Sequence, residues 1–309
     1  MKKFIKKIFL FLVPMILIAL LMEFLLRNIP NDYKYKKDYL INNSNRINKL
    51  FLGSSHTYYG INPSVISGNS FNASHVSQSI DLDLQIIKKY RNNWKGLEYI
   101  IIPIDYFTLF FRLSNSVESW RLKNYNLYYD FQLSNKLSDN TELISNNLNL
   151  NISKIISFYL QNEKFITCSE LGYANKFKEN KDLVKSGIEA GIRHTVEDFS
   201  NLDESINILN EMISFAKKND IEIIFYTSPA YYTYVSNLNV NQLELTIKTI
   251  TKIADNNDIA YFNLLEDSSF NSSDYRDADH LNQKGAKKLS LKIDDMILNS
   301  KILKVNASP

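Results

Sequence analysis

Two short segments near opposite ends of the chain contain the residue types of a nucleophile and its base. The first is LFLGSSHT, residues 50–57, and the second is DADHLNQKGA, residues 277–286. Ser55 follows a short apolar run, where a strand would open to solvent. The Asp-x-x-His spacing of Asp277 and His280 offers a base and the group that orients its imidazole. Together these segments predict covalent chemistry in which Ser55 attacks and His280 takes its proton.

Each segment also has a plainer interpretation. Gly-Ser-Ser is common in loops and Asp-x-x-His occurs by chance, so Ser55 could be a loop serine and His280 a helix-capping residue. Asp279 could instead cap the final helix, and Asp274 is another neighbouring acid. The spacing favours Asp277 as the partner of His280. The position of both segments at opposite ends of one domain favours the catalytic interpretation.

Strand and helix patterns alternate between the two segments. Short apolar runs predict strands at 50–52, 99–104, 221–226 and 259–262. Helical periodicity predicts helices at 203–218, 240–256 and about 283–298. This alternation predicts an α/β fold, with a parallel sheet and helices on both faces.

Residues 107–200 do not follow this alternation. They are rich in Asn, Tyr and Phe and contain helical pieces such as 141–161. We expect a largely helical insertion over one end of the sheet, where ligands of open α/β sheets bind. Such an insertion would serve as a lid or form part of the acceptor site.

The N-terminus predicts a membrane anchor. Residues 8–27 are apolar apart from Pro14, Glu23 and Arg27, and about 20 such residues cross a bilayer as a helix. Four preceding lysines favour a cytoplasmic N-terminus. A cleaved signal peptide is the alternative, but no small-x-small site follows the apolar run. The predicted order is a cytoplasmic tail at 1–7, a transmembrane anchor at 8–27, a polar linker at 28–47, a domain at 48–300 outside the cytoplasmic membrane, and a tail at 301–309.

Composition argues against several other kinds of site. The net charge of the 309 residues is +3. Residues 1–30 carry +4, so the rest carries −1 and offers no basic face for nucleic acid. The 8 glycines form neither common phosphate-binding loop, and Cys168 has no second cysteine with which to form a disulfide or a zinc site. We therefore expect no cofactor, no metal and no nucleic-acid partner.

On these two segments the sequence resembles the SGNH (GDSL-like) hydrolase superfamily. Gly53-Ser54-Ser55 matches the family's Gly-Asp-Ser block, with Ser54 in place of Asp. Asp277 and His280 match its Asp-x-x-His block. The resemblance implies a three-layer, flavodoxin-like sheet. It also implies that Ser55, Asp277 and His280 form a catalytic triad.

The resemblance extends over residues 48–106 and 200–300 and leaves out 107–200. Two blocks that supply oxyanion donors are altered: FNASHVSQ at 71–78 contains no glycine, and IPIDY at 102–106 replaces Gly-x-Asn-Asp. Losing one donor typically costs about 100 to 1000-fold in rate, so either other groups replace these donors or hydrolysis is not the main activity. The candidate oxyanion or substrate-binding groups are the Ser55 N–H, Ser74, Ser77, Gln78 and Tyr106.

Within the superfamily, the chain looks like membrane-anchored, exported proteins of bacterial surface-polymer acylation. These include the D-alanyl transfer protein of teichoic-acid operons and the alginate O-acetylation proteins. The resemblance implies an acyl-Ser55 intermediate resolved by a hydroxyl of a cell-envelope or extracellular polysaccharide, with acetyl favoured, or by water. It implies a glycan substrate, a membrane location and a multi-pass membrane acyltransferase as a further partner. The alternative is a non-catalytic protein of this fold that binds a glycan or docks such an acyltransferase.

Other side chains are candidates for substrate contact. Arg121 and three nearby tyrosines in the insertion could stack on a sugar or hold an acyl carrier, although core packing explains the tyrosines equally well. Tyr231 follows the third predicted strand and would lie at the ligand edge. We expect His56 and His75 to be polar wall residues. His194 is expected to precede a helix as a capping or surface residue.

Overall fold

The computed structural model describes residues 2–174, 176 and 182–307, with side chains up to residue 299. The chain divides into two compact units. The N-terminal unit comprises Met1–Asp38 and Val117–Thr167. The sheet unit comprises Tyr39–Ser116 and Cys168–Pro309.

Five parallel strands form the sheet of the sheet unit. They are β1 Lys49–Phe51, β2 Ser70–Asn72, β3 Tyr99–Pro103, β4 Glu222–Thr227 and β5 Ala260–Asn263. Their spatial order is β2-β1-β3-β4-β5, which is the flavodoxin-like order. A separate antiparallel pair, β6 Tyr275–Asp277 and β7 His280–Leu281, follows the sheet in the chain.

Helices fill most of the remaining described chain. In chain order they are α1 Lys2–Asn28, α2 Asp32–Asn43, α3 Ser55–Gly60, α4 Ile80–Lys89, α5 Leu122–Tyr128, α6 Glu142–Ser145, α7 Leu148–Tyr159, α8 Leu183–His194, α9 Leu202–Lys218, α10 Tyr232–Val235, α11 Val240–Asn257 and α12 Gln283–Ala307. Short 3-10 helices lie at Pro63–Val65, Leu113–Asn115, Ser119–Arg121, Leu137–Asp139 and Ser272–Asp274.

Both faces of the sheet are buried. Phe51 and Ile101 share one apolar cluster with Leu289 of α12. Leu50 and Ile100, whose side chains point to the opposite face, are fully buried as well. Burial on both faces is typical of parallel sheets covered by helices. The predicted α/β fold is confirmed.

One strand of the five-stranded sheet, β2, was not predicted, and neither was the separate pair β6 and β7. β2 has the sequence Ser70-Phe71-Asn72, without the apolar run that marks the other strands. Asn72 is fully buried, and its side-chain amide is satisfied there because its nitrogen donates to the carbonyl oxygens of Thr57 and Ile61. A buried polar residue that is satisfied in this way leaves no hydrophobic signal in the sequence.

The N-terminal unit contains a long apolar helix. Over its most apolar 18-residue window, α1 has a mean hydropathy of 2.7, and within the described residues it is the one helix long and apolar enough to cross a membrane. Its length and composition fit a membrane span or a signal sequence, and its orientation stays a prediction. The predicted cytoplasmic tail is part of the same helix, since α1 begins at Lys2.

Two predicted boundaries differ from the structure. The polar linker expected at 28–47 contains the twelve-residue helix α2, where Tyr39 stacks on Phe71 with ring centroids 4.1 Å apart. The insertion expected at 107–200 is divided, because residues 117–167 belong to the N-terminal unit and the rest to the sheet unit. Helix α12 also extends to residue 307, into the predicted tail.

The turn after β1 requires glycine at position 53. Gly53 has a φ of +110°, and a Cβ there would lie 2.1 Å from Pro103 Cγ. We expect Gly53→Ala to lower the free energy of unfolding by at least about 2 kcal/mol, from backbone strain together with the clash. Denaturant unfolding of the full chain measures it. Gly60→Ala is the matched control, because its Cβ would make an ordinary 3.5 Å contact with Leu289. A Gly53→Ala variant as stable as the Gly60→Ala variant would contradict this account.

Candidate active site

The turn between β1 and α3 presents Ser55 at the carboxyl edge of the sheet. Ser54 caps α3, and its hydroxyl accepts a 3.4 Å hydrogen bond from the His56 N–H. Ser55 is the first residue of α3 and is half-buried. Its backbone N–H is therefore among those of a first helical turn that have no acceptor within the helix.

The pair β6 and β7 brings Asp277 and His280 to the same place. The His280 N–H donates to Asp277 Oδ1 over 2.9 Å, and His280 Nδ1 lies 2.8 Å from the same oxygen. His280 Nε2 lies 2.8 Å from Ser55 Oγ. One imidazole thus joins a carboxylate to a hydroxyl through its two ring nitrogens, with Nδ1 donating when Nε2 accepts. This is the geometry of a nucleophile, a base and an orienting acid.

Arg276 and Tyr59 surround this arrangement. Arg276 Nε lies 3.2 Å from Asp277 Oδ2, and the guanidinium lies 4.3 Å from the centroid of the Tyr59 ring. The Tyr59 ring meets the His280 ring edge-on at 5.6 Å. Arg276 therefore compensates the charge of Asp277, and Tyr59 restricts the movement of the imidazole.

A second charged group of residues adjoins His280. Asp279 Oδ1 lies 3.4 Å from His280 Nδ1, and Asp279 Oδ2 lies 3.1 Å from Arg193 Nη2 and 3.6 Å from His56 Nε2. On its other side, His56 Nδ1 lies 3.0 Å from Asp105 Oδ2. Asp105, His56 and Asp279 are all buried. They form a continuous row of alternating charge that ends at His280.

The protonation of this row follows from its charges. Burial alone would lower the pKa of His56, but Asp105 and Asp279 raise it to about 10. Burial would raise the pKa of both carboxyls, yet His56 holds the pKa of Asp105 below its usual value, and His280 and His56 hold that of Asp279 well below. Burial also opposes the charged form of His280, while Asp279 and Asp277 raise its pKa. His56 is therefore a buried cation at neutral pH.

His194 behaves in the opposite way. It is the last residue of α8 rather than a residue that precedes a helix, and its Nδ1 lies 2.9 Å from the Tyr234 hydroxyl. Burial lowers the pKa of His194 to about 3. The charge of His56 lowers this pKa further, whereas the charge of Asp279 raises it. The expectation of a capping or surface residue is wrong, because the ring packs against Phe107 at 4.4 Å.

His56, Asp279 and His280 also have the spacing of metal ligands, since one donor atom from each lies within 4.8 Å of the others. Two of these groups already have partners. Asp279 accepts a hydrogen bond from Arg193, and His280 Nδ1 faces Asp277. The arrangement suits proton sharing, and the expectation that the site uses no metal stays a prediction.

Three expected oxyanion groups lie on the loop after β2. The Ser74 hydroxyl is fully buried and donates to Asn72 Oδ1. The Gln78 amide nitrogen donates over 2.6 Å to Asp83, which also accepts from the Gly53 N–H at 2.9 Å. Gln78 thus supports the β1–α3 turn through Asp83. Ser77 has a left-handed backbone, with φ of 58°.

Of the other residues expected to contact substrate, Tyr231 and Tyr106 belong to the sheet unit and Arg121 to the N-terminal unit. Tyr231 is beside the Asp277–His280 segment, because its N–H donates to the Ala278 carbonyl over 2.8 Å. The Tyr106 hydroxyl is instead part of the core, where it accepts from the Asn239 N–H at 2.9 Å. Arg121 belongs to the N-terminal unit and pairs with Glu118 at 3.1 Å.

The sequence interpretation did not assign the row formed by Asp105, His56 and Asp279. His56 was expected as a polar wall residue, and Asp279 was weighed only as a helix cap. The sequence does contain a signal for this row, because Asp105 lies two residues after the end of β3 and His56 directly follows Ser55. Residues at the carboxyl ends of neighbouring parallel strands meet at one edge of the sheet.

No protein-family model matches the chain, and no curated protein matches it in sequence. Two solved structures are similar to it at low identity. A candidate acylhydrolase from Bacteroides fragilis is 12% identical with a TM-score of 0.40, covering 84% of this chain and 95% of its own. A GDSL-like lipase from Bacteroides thetaiotaomicron is 11% identical with a TM-score of 0.42, covering 87% and 99%. The case for a function consequently rests on the geometry of Ser55, Asp277 and His280.

The imidazoles of His56 and His194 should lose their protons at widely different pH values. We expect nitrogen-15 NMR of the histidine rings to show His56 as imidazolium at pH 7, losing its proton near pH 10, and His194 as neutral down to about pH 3. Because the folded pKa of His56 lies above its ordinary value of 6.5, its contribution to stability is complete below that pH and is lost as the pH rises towards 10. A neutral His56 ring at pH 7 would contradict the alternating charges assigned to Asp105, His56 and Asp279.

Proposed function

We propose that this chain is a membrane-anchored, extracytoplasmic SGNH-like serine acyltransferase or esterase that forms an acyl-Ser55 intermediate. One observation carries the proposal. Asp277, His280 and Ser55 are joined by two contacts of 2.8 Å through the two ring nitrogens of one imidazole. The serine and the histidine are 225 residues apart in sequence. This alignment is what nucleophilic catalysis by a serine requires.

In the first half-reaction, Ser55 Oγ attacks the carbonyl carbon of an acyl donor. The hydroxyl proton passes to His280 Nε2 as the new C–O bond forms. Asp277 accepts the Nδ1–H bond, which holds the imidazole in the tautomer that leaves Nε2 free to take the proton. The imidazolium then returns this proton to the leaving group as the tetrahedral intermediate collapses to acyl-Ser55.

In the second half-reaction, His280 acts on the acceptor. It removes a proton from a hydroxyl or from water, which attacks the acyl carbonyl, and Ser55 regains its proton from Nε2 when the ester breaks. Asp279 adds a second carboxylate within 3.4 Å of Nδ1. Its charge favours the imidazolium that exists in both transition states.

The Ser55 backbone N–H is the first candidate for the oxyanion donor. It stands at the start of α3, and Gly53 gives the turn the backbone conformation that places it there. Tyr231 and Tyr59 offer ring surfaces beside the site on which a sugar could pack. We propose acetyl transfer to, or removal from, a cell-envelope or extracellular polysaccharide, in line with the resemblance to surface-polymer acylation proteins. A multi-pass membrane acyltransferase would be the partner that supplies the acyl group.

The N-terminal unit supports a retained anchor over a cleaved signal peptide. Near the end of α1, the Glu23 carboxylate accepts from the N–H groups of Glu142 and Leu143 at 3.1 and 2.8 Å. Arg27 donates to the Asn140 carbonyl at 2.8 Å. Cleavage after the apolar run would remove these contacts from the unit. We propose that the N-terminus lies in the cytoplasm and the sheet unit lies outside.

A fluorophosphonate probe tests the proposed nucleophile. We expect the wild-type chain to be labelled and Ser55→Ala to be unlabelled, with esterase activity on a nitrophenyl acetate lowered by roughly 1000-fold or more. The matched control is Ser54→Ala, which removes the adjacent hydroxyl and costs about 1 kcal/mol as a lost helix cap. It should still be labelled.

Two outcomes of this experiment would contradict the proposal. Equal labelling of wild type and Ser55→Ala would place the reactive group elsewhere. Failure of folded wild type to react with the probe or with the ester would favour the non-catalytic role, in which this fold binds a glycan or docks an acyltransferase.

Asp279 should set the pH at which His280 becomes a base. Because Asp279 raises the pKa of His280, we expect Asp279→Asn to lower that pKa and to move the rising limb of the pH profile of kcat/KM to lower pH. Asp203→Asn, which changes an exposed carboxylate, is the control and should leave the profile in place. An unchanged profile in a folded Asp279→Asn variant would show that Asp279 does not act on His280.

A further inference from the structure

Helix α7 buries a polar residue and exposes several apolar side chains. Asn151 is fully buried, and its amide nitrogen donates to the Leu143 carbonyl at 2.8 Å. Lys154 lines a cavity of about 250 Å³ beside the ion pair of Lys123 and Glu142. The exposed side chains include Leu148, Ile152 and Ile156, which are 57%, 42% and 40% exposed. These three are spaced by four residues and form one ridge along the helix.

The exposed surface of α7 carries no formal charge. Lys154 is the one charged residue among its twelve, and it lines the cavity. Just beyond the helix, Leu160 is 76% exposed. A helix packed on a protein and facing water has the reverse arrangement, with its apolar stripe inward and charges outward. The exposed ridge of α7 is therefore suited to an apolar surrounding.

The contacts of α7 place it at one end of α1. The Tyr159 hydroxyl donates to the Leu25 carbonyl over 3.0 Å, and α1 packs against both α6 and α7. Glu23 and Arg27 of α1 bind the backbone at the start of α6 and just before it. These contacts all fall within residues 23–27, where the predicted span ends. If α1 crosses the bilayer, α7 lies at the level of its outer surface.

We propose that α7 lies in the boundary between lipid headgroups and acyl chains of the outer leaflet, with the ridge of Leu148, Ile152 and Ile156 inserted among the lipids. Helices with one apolar face bind this region in the plane of the membrane. The inference rests on the membrane anchoring proposed above, and it adds a second contact of the N-terminal unit with the lipid. It does not depend on the chemistry of Ser55.

Site-specific fluorescence tests this placement in the full chain. In a Cys168→Ser background, Ile152→Cys and Ile156→Cys are each labelled with bimane and reconstituted in nanodiscs of phosphatidylcholine and phosphatidylglycerol. Quenching by chain-brominated lipid is compared with quenching by iodide in the water. Leu17→Cys, from the middle of α1, is the reference for lipid, and Ser153→Cys, about 100° round α7 from Ile152, is the matched control on the same helix. Circular dichroism confirms that each variant is folded.

We expect the labels at Ile152 and Ile156 to be quenched by brominated lipid at least about twofold more than the label at Ser153, and by iodide correspondingly less. Iodide quenching equal to that at Ser153 would place the ridge in water and overturn the proposal. Protection from both quenchers would also overturn the proposal, because protein, such as a second copy of the chain, would then cover the ridge. A Leu17 label untouched by brominated lipid would overturn this proposal together with the anchor, while probe labelling of Ser55 would be unaffected.

Discussion

The contact between His280 Nε2 and Ser55 Oγ is the constraint on which the rest of the sheet unit depends. It joins two residues 225 positions apart across a distance of 2.8 Å. The turn after β1 must hold Ser55 at the sheet edge, which requires the backbone that Gly53 alone can adopt without strain. The β6–β7 pair must hold His280 opposite Ser55. The hydrogen bond from the His280 N–H to Asp277 fixes the turn between β6 and β7. The β1–α3 turn and the β6–β7 pair thus together set the 2.8 Å distance between Ser55 Oγ and His280 Nε2.

Paired charges surround His280, the base in the proposed mechanism. Three carboxylates in the described site face three cations: Asp105, Asp277 and Asp279 against His56, Arg193 and Arg276. Buried charges are tolerated only when they are paired in this way. Without its cationic partners, Asp279 would bind a proton or hold one firmly on His280. With them, the charge of Asp279 is offset in part, and Asp279 and Asp277 raise the pKa of His280 against the effect of burial.

The sequence predicted strand β1, which precedes Ser55, and it singled out Ser55 and His280 because each lies in a local pattern, a short apolar run that ends in Gly-Ser-Ser and an Asp-x-x-His spacing. It did not predict helix α3 or the pair β6–β7, on which these two residues lie. It did not predict β2 or α2, because their polar residues are buried through hydrogen bonds and specific packing that leave no hydrophobic period. The row through Asp105 and Asp279 was also missed. Linear spacing tells which residues reach the sheet edge, but the direction of each side chain there depends on tertiary packing, which one sequence does not reveal.

The most direct test of the central claim is rapid-quench mass spectrometry of the intact chain during turnover of a nitrophenyl acetate. The account predicts that one acetyl group accumulates on the wild-type protein, that peptide mapping places it on Ser55, and that it disappears when the ester is exhausted. Ser55→Ala should carry no acetyl group. Turnover without any acylated intermediate, or an acetyl group on another residue that forms and decays at the rate of turnover, would contradict the claim that Ser55 is the nucleophile.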